Sequence, residues 1–268
     1  MAKLRGVEAT LARLRSIPKE PISAPVIAEL KTLLSDPSNL VAAEAAAIIG
    51  GYAHLPDLIP DRVAAFDRLM IDPEGTDKLC RAKIAIVQAN LEYDEPDLFL
   101  RGVHHIQDGS SYPEPHDSAG PLRGDSALGL VRIKCPNVVN LLVDLLFDTE
   151  RVARVACVQA LEGSGLVAAV PLLRFKARVG DKEPEVTCEC FSALLRLDPE
   201  SVAFVARFLH AGNETLQEGA ALALGESRGA GVLEILRDFS ARLRVGTLQD
   251  AALLAISMLR STAAIDYL

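Results

Sequence analysis

The chain has no tryptophan, and its eight phenylalanines and four tyrosines are the only aromatic carbocycles among 268 residues. Strand-rich domains draw on aromatic and β-branched side chains, so this scarcity argues against a sandwich or barrel. Positive charge is also short: 28 Lys and Arg stand against 36 Asp and Glu, a net −8. Nucleic-acid affinity is dominated by cations that neutralise phosphates, so no nucleic acid is expected as partner. The five cysteines, at 80, 135, 157, 188 and 190, are odd in number and scattered, unlike a secreted disulfide framework. No stretch approaches the ~18 apolar residues of a membrane span, and the opening MAKLRGVEATLARLRSIPKE lacks the apolar centre of a signal peptide. A cytoplasmic protein with no membrane partner is the expectation.

Ala and Leu, by contrast, supply 78 positions, the palette of a helix former. They recur in a pattern. ARVACVQALEGSG from Ala153, LQEGAALALGESRG from Leu216 and LQDAALLAISML from Leu248 are the clearest copies; VAAEAAAIIGG from Val41, LCRAKIAIVQ from Leu79, LRGDSALGLV from Leu122 and VTCECFSALL from Val186 are fainter. With each first residue as position zero, positions zero, four, seven and eight share one face of a helix. Positions zero and eight are apolar in all seven copies, from Val41 and Ile49 to Leu248 and Ile256. Position four is small in six, as close packing between neighbouring helices requires. Lys83 is the misfit there.

A second amphipathic stretch precedes each copy, for example VIAELKTLLSD, NVVNLLVDLLFD and VLEILRDFSARL, and Pro37, Pro73, Pro96, Pro121, Pro136, Pro184 and Pro199 fall at the helix boundaries. The units are therefore helix pairs. The expected fold is all-α, a right-handed α-α superhelix of about seven helix pairs after one amino-terminal helix, forming a single solenoid domain over 1–268.

Stretches such as ARVACVQALEGSG and VAAVPLLRFKARVGDKEPEV, with Pro171 inside the first helix of its pair, resemble the HEAT-repeat family, and within it the short bacterial repeats called phycobilisome-lyase-like. The resemblance covers nearly the whole chain. It implies the solenoid fold and leaves function open, because members of the family serve as scaffolds, as lyase subunits and as enzymes. LRGVHHIQ followed by DSAGPLRGDSALGLVR is similar to a signature of one bacterial HEAT-repeat subgroup, which would make Arg101, Gln107, Asp117 and Arg123 polar landmarks.

In the third pair the link between helices swells to DGSSYPEPHDSAG, residues 108–120. Long loops in compact arrays concentrate function. Arg101, His104, His105, Gln107, Glu114, His116, Asp117 and Arg123 cluster around it. In a structural reading Asp117 or Ser118 caps the next helix, Tyr112 packs down, and Arg101, His105 and Arg123 tie the loop to the array. In a ligand reading one of His104 and His105 joins His116 and Asp117 around a divalent cation, although no spacing matches a zinc pattern. No metal and no cofactor are assigned.

Catalytic readings fare poorly. HEAT-repeat di-iron hydroxylases, of the deoxyhypusine hydroxylase kind, carry His-Glu dipeptides as metal ligands, and this chain has none. GDSALG from Gly124 is not a nucleophile elbow, since Ser126 falls within a helix. Cys188 and Cys190, two apart on a helix, face different ways. What is left among enzymes is a phycobilin-lyase-like subunit holding a tetrapyrrole, with Arg81, Arg123 and Arg154 as an outward row for its propionates; solvated surface arginines are the plainer reading of that row.

The leading expectation is a non-enzymatic interaction scaffold. Leu128, Val131, Val158, Phe191, Leu195, Leu222, Leu253 and Leu254 point away from the packed stripe of the second helices, where they either line a concave groove for a protein or peptide partner or join the core. Glu218 and Asp250 add acidity. At the carboxy-terminal end, TAAIDYL begins a further apolar helix; it fits either truncation or self-association through that end.

Overall fold

The computed structural model describes residues 2–19, 22–52, 55–109 and 116–268. Every regular element among them is helical: α1 (Ala2–Leu14), α2 (Ala24–Leu34), α3 (Asn39–Gly51), α4 (Ile59–Ile71), α5 (Pro73–Thr76), α6 (Arg81–Ala89), α7 (Pro96–Val103), α8 (Gly120–Arg132), α9 (Val138–Leu145), α10 (Arg151–Gly163), α11 (Ala169–Val179), α12 (Pro184–Leu197), α13 (Val202–Val205) continued by a 3₁₀ turn over Ala206–His210, α14 (Glu214–Ser227), α15 (Val232–Ser240), α16 (Thr247–Met258) and α17 (Thr262–Ile265). The fold is all-α and solenoid-like, with seven helix pairs after α1 among the described residues. No helix among them is long and apolar enough to cross a membrane.

The chain divides into two compact units, Met1–Cys157 and Val158–Leu268, with the division inside α10. In the first, α3, α6 and α8 stack in succession, and α2, α4, α7 and α9 pair with them. In the second, α12, α14 and α16 stack, while α11, the segment from α13 to His210, and α15 complete the pairs. Proline opens α2, α4, α7, α8 and α12 in the first turn, where its missing N–H costs nothing.

The repeat pattern states which residues are inside. Ala45, Ser126, Cys157, Cys190, Ala220 and Ala252, the small residues of position four, are all fully buried, and Ile49, Leu130, Leu161, Leu194, Leu224 and Ile256 of position eight are buried with them. The close approach is tight enough that a Cβ on Gly102 of α7 would lie 2.1 Å from Ser126 Oγ of α8. One register is corrected. Leu79 is not the start of its helix: with Cys80 it is in the left-handed region (φ 61° and 57°) and its side chain is exposed, while α6 begins at Arg81. Ala82 holds the packed starting place, so Lys83 occupies the next position, where Arg123 and Arg154 stand in the two following repeats.

Candidate functional site

The inserted loop leaves α7 through His104–Asp108 and returns through His116–Ala119 into α8. Its Ser110–Pro115 segment, with Tyr112 and Glu114, lies outside the described residues. The two legs of the loop join as an antiparallel bridge at Asp108 and Asp117: Gly109 N donates to His116 O and Ser118 N to Gln107 O, both at 2.8 Å.

Arg123, one turn into α8 and 4% exposed, is the hub. Nη1 donates to His105 O (2.8 Å) and to Asp117 Oδ2 (2.5 Å), and Nε and Nη2 form a two-point bond with the Asp148 carboxylate, 2.7 Å each. Burial alone would lower its pKa, but Asp148 and Asp117 hold it above the ordinary arginine value. Asp117 also accepts from Gln107 N and Ala119 N through Oδ1, 2.9 Å each. Burial raises the carboxyl's pKa; those two N–H groups and Arg123 outweigh it and leave Asp117 below the usual carboxylate range. Gln107 extends the network. Its Nε2 donates to Asp77 O at 2.6 Å, which fixes the amide orientation, so Oε1 must accept from His105 Nε2 at 3.2 Å. His105 is thereby the Nε2–H tautomer, and desolvation, only partly opposed by Gln107, keeps its pKa low.

The expected site residues separate accordingly. His105, Gln107, Asp117 and Arg123 come together. Asp117 closes the turn into α8 by accepting from Ala119 N, but neither it nor Ser118 caps the helix as expected: Ala119 holds the N-cap position without a side-chain bond, and Ser118 Oγ donates back to Gln107 O (3.1 Å). His116 is exposed, its ring lying over Gly109. Arg101 does not hold the loop. It lies on the side of α7 facing α4, ion-paired with Asp67 at 2.6 Å and set over the Phe66 ring. Nor do Arg123 and Arg154 form an outward row with Arg81: both are buried, and Arg154 Nη1 donates to Asp148 O and Thr149 O. Among the described residues no three His, Cys, Asp or Glu side chains are grouped to hold a metal ion.

The network continues a rule that the apolar periodicity did not reveal. Asp77, Asp117 and Asp148 each precede a basic residue by six: Lys83, Arg123 and Arg154. Asp77 is fully buried, accepting from Asn39 Nδ2 (3.1 Å), Ala82 N and Lys83 N (2.9 Å each) and pairing with the buried Lys83 Nζ at 3.3 Å. Asp148 Oδ1 also accepts from Glu150 N at 2.8 Å. In the second unit Asp181 accepts from Glu183 N (2.9 Å) and pairs with buried Lys176 at 2.7 Å. Each carboxylate thus closes the turn before a second helix and is neutralised by a buried cation. The Asp-x5-Lys/Arg spacing was the signal available in the sequence for the first three, and it gives the ion pair itself at Asp77–Lys83 and Asp117–Arg123.

The apolar outward positions split as well. Val158, Phe191 and Leu195 are buried in the core, with the Phe191 ring 4.5 Å from that of Phe208. Leu128 and Val131 on α8, and Leu253 on α16, are half-buried; Leu254 is exposed. Leu222 lines an open cleft of ≈ 470 Å³ between α12 and α14, together with Cys188 and Ala223 and the carboxylates of Glu185, Glu189, Glu218 and Glu226. Burial first, then Glu185 and Glu218, push the Cys188 thiol up to about 11. Glu189 accepts from Gln159 Nε2 at 3.3 Å; Glu185, Glu218 and Glu226 carry no ion pair among the described residues.

No protein-family model matches the chain, and no curated protein does. Among solved structures, that of human deoxyhypusine hydroxylase in complex with glycerol is similar at 18% identity and a TM-score of 0.38, covering 95% of this chain and 98% of that one.

Proposed function

We propose that the chain is an interaction scaffold whose α12–α14 face receives a cationic protein or peptide segment. The cleft carries the reading: three carboxylates without ion pairs surround the half-buried Leu222. An apolar seat within a rim of one charge favours a partner with an apolar anchor flanked by Lys or Arg. The buried polar groups of the loop, by comparison, are spent on internal bonds. Five free cysteines support a reducing, cytoplasmic setting, and exposed Ile265 and Leu268 at the carboxy-terminal end support self-association there.

Affinity purification with mass spectrometry tests the reading, using the wild type and a Leu222→Asp, Glu218→Lys variant. A stoichiometric partner lost in the variant is the expected result. Equal recovery of the partner by both proteins would overturn the assignment to this cleft. Visible absorbance that develops on mixing with a bilin would favour the tetrapyrrole-binding alternative.

A further inference from the structure

The second unit carries a site of opposite character on its first helices. Along α11, Pro171, Phe175 and Val179 recur at helical spacing and face solvent; Phe175 is 56% and Val179 58% exposed. Arg174 and Arg178 stand beside this strip, and Arg207, from the 3₁₀ turn after α13, completes a triangle of guanidinium groups. Between them lies an open cleft of ≈ 360 Å³ lined by Pro171, Phe175, Phe204 and the three arginines.

The cleft is preorganised. Arg174 lies over the Phe204 ring at 4.5 Å and donates to Ser201 Oγ at 3.2 Å, while Ser201 Oγ donates to Asp198 at 2.7 Å. Arg207 covers the same ring at 5.5 Å, and Phe204 packs edge-on against Phe208. Arg178 and Arg207 have no carboxylate partner among the described residues. In a chain of net −8, three arginines around an exposed apolar strip without their own anions are a local reversal of charge.

We propose that this cleft is a second docking site, taking an acidic segment of a protein partner: an aromatic or large aliphatic side chain seated on Phe175 and the Arg174 stem, with flanking Asp or Glu carboxylates on Arg174, Arg178 and Arg207. Arginine suits this role because its planar fork bonds a carboxylate at two points while its face covers an aromatic ring. Aromatic and arginine side chains supply most hot spots of interfaces. A nucleic acid fits less well, because three guanidinium groups neutralise few phosphates and the remainder of the chain repels the strand.

Fluorescence anisotropy with a fluorescein-labelled peptide, a central Phe flanked on either side by Glu-Asp pairs, tests this. The full chain is expected to bind it saturably, more weakly as salt rises. Arg178→Glu with Arg207→Glu should lower affinity about tenfold or more, since two exposed attractions become repulsions. Phe175→Ala should lower it about fivefold. Leu222→Asp, in the α12–α14 cleft, should leave it unchanged, so that the two sites fail or stand separately. Absence of saturable binding, equal affinity in the double arginine variant with an unaltered circular-dichroism melt, or tighter binding of an oligothymidylate than of the peptide would each overturn the proposal.

Discussion

Arg123 and Asp148 face each other through two parallel N–H···O bonds of 2.7 Å, joining the first turn of α8 to the turn between α9 and α10 in the next pair. Only a planar guanidinium delivers both bonds while a third nitrogen position reaches Asp117 and the His105 carbonyl. Arg123→Met would leave two part-buried carboxylates without their cation, and urea unfolding at pH 7 should show a loss of about 3 kcal/mol. Arg123→Lys keeps the charge but not the fork, and should cost about 1–3 kcal/mol.

His105 gives the fold a pH dependence. Its folded pKa lies below the ordinary value because burial disfavours the imidazolium, so the unfolded chain takes up a proton first. The contribution is full above the unfolded pKa of about 6.5 and is lost as pH falls from there through the folded value. Unfolding free energy should therefore decline below pH 7 with a slope from this group of at most about 1.4 kcal/mol per pH unit, and His105→Gln should flatten that part of the profile. Asp117, whose folded pKa is also depressed, adds a second loss at lower pH, as pH falls past about 3.9 and through its folded value.

Asp77 and Lys83 form a buried pair whose members are unequal. Asp77 receives Asn39 Nδ2 and two backbone N–H groups besides the lysine, so Asp77→Ala takes the acceptor from four donors and strands the two backbone amides, whereas Lys83→Met leaves the carboxylate three. In thermal and urea melts Asp77→Ala should cost about 3–5 kcal/mol and Lys83→Met distinctly less.

Helix spacing in the second unit is checked at Gly225. A Cβ there would lie 2.4 Å from Ala255 O and 2.8 Å from Ala255 Cα, both backbone atoms of α16. Since backbone cannot swing aside as a side chain does, Gly225→Ala should destabilise by about 1–3 kcal/mol despite its better helix propensity. A melt equal to wild type would show that α14 and α16 are spaced more loosely than described.

Period and composition exposed the helix pairs, because apolar and small residues recur wherever one helix must lie on another, and Ala45, Ala220 and Ala252 are buried as that logic requires. The same logic misplaced Leu79, an apolar residue in a left-handed turn, because apolarity alone does not mark a helix start. Lys83 is out of place only on a scale that counts apolar neighbours; its ion-pair partner is the carboxylate six residues upstream, and the carbonyls of Leu69 and Pro73 take its other hydrogens. Local charge connects Arg123 to the loop, yet Asp148, 25 residues on, has no local signal connecting it to that arginine. Proximity in sequence points Arg101 to the loop as well, whereas the turn of α7 carries it toward Asp67.

The run of bonded turns from Asp77 to Arg154 also bears on how the first unit comes apart. The amides of Ala82 and Lys83 rest on Asp77, those of Gln107 and Ala119 on Asp117, and that of Glu150 on Asp148, while Gln107 and Arg123 bind each turn to its neighbour. An isolated repeat cannot release its protons to solvent without unseating the next. In native-state hydrogen exchange these five amides should therefore share a single opening free energy, so that the segment yields at one threshold instead of fraying repeat by repeat.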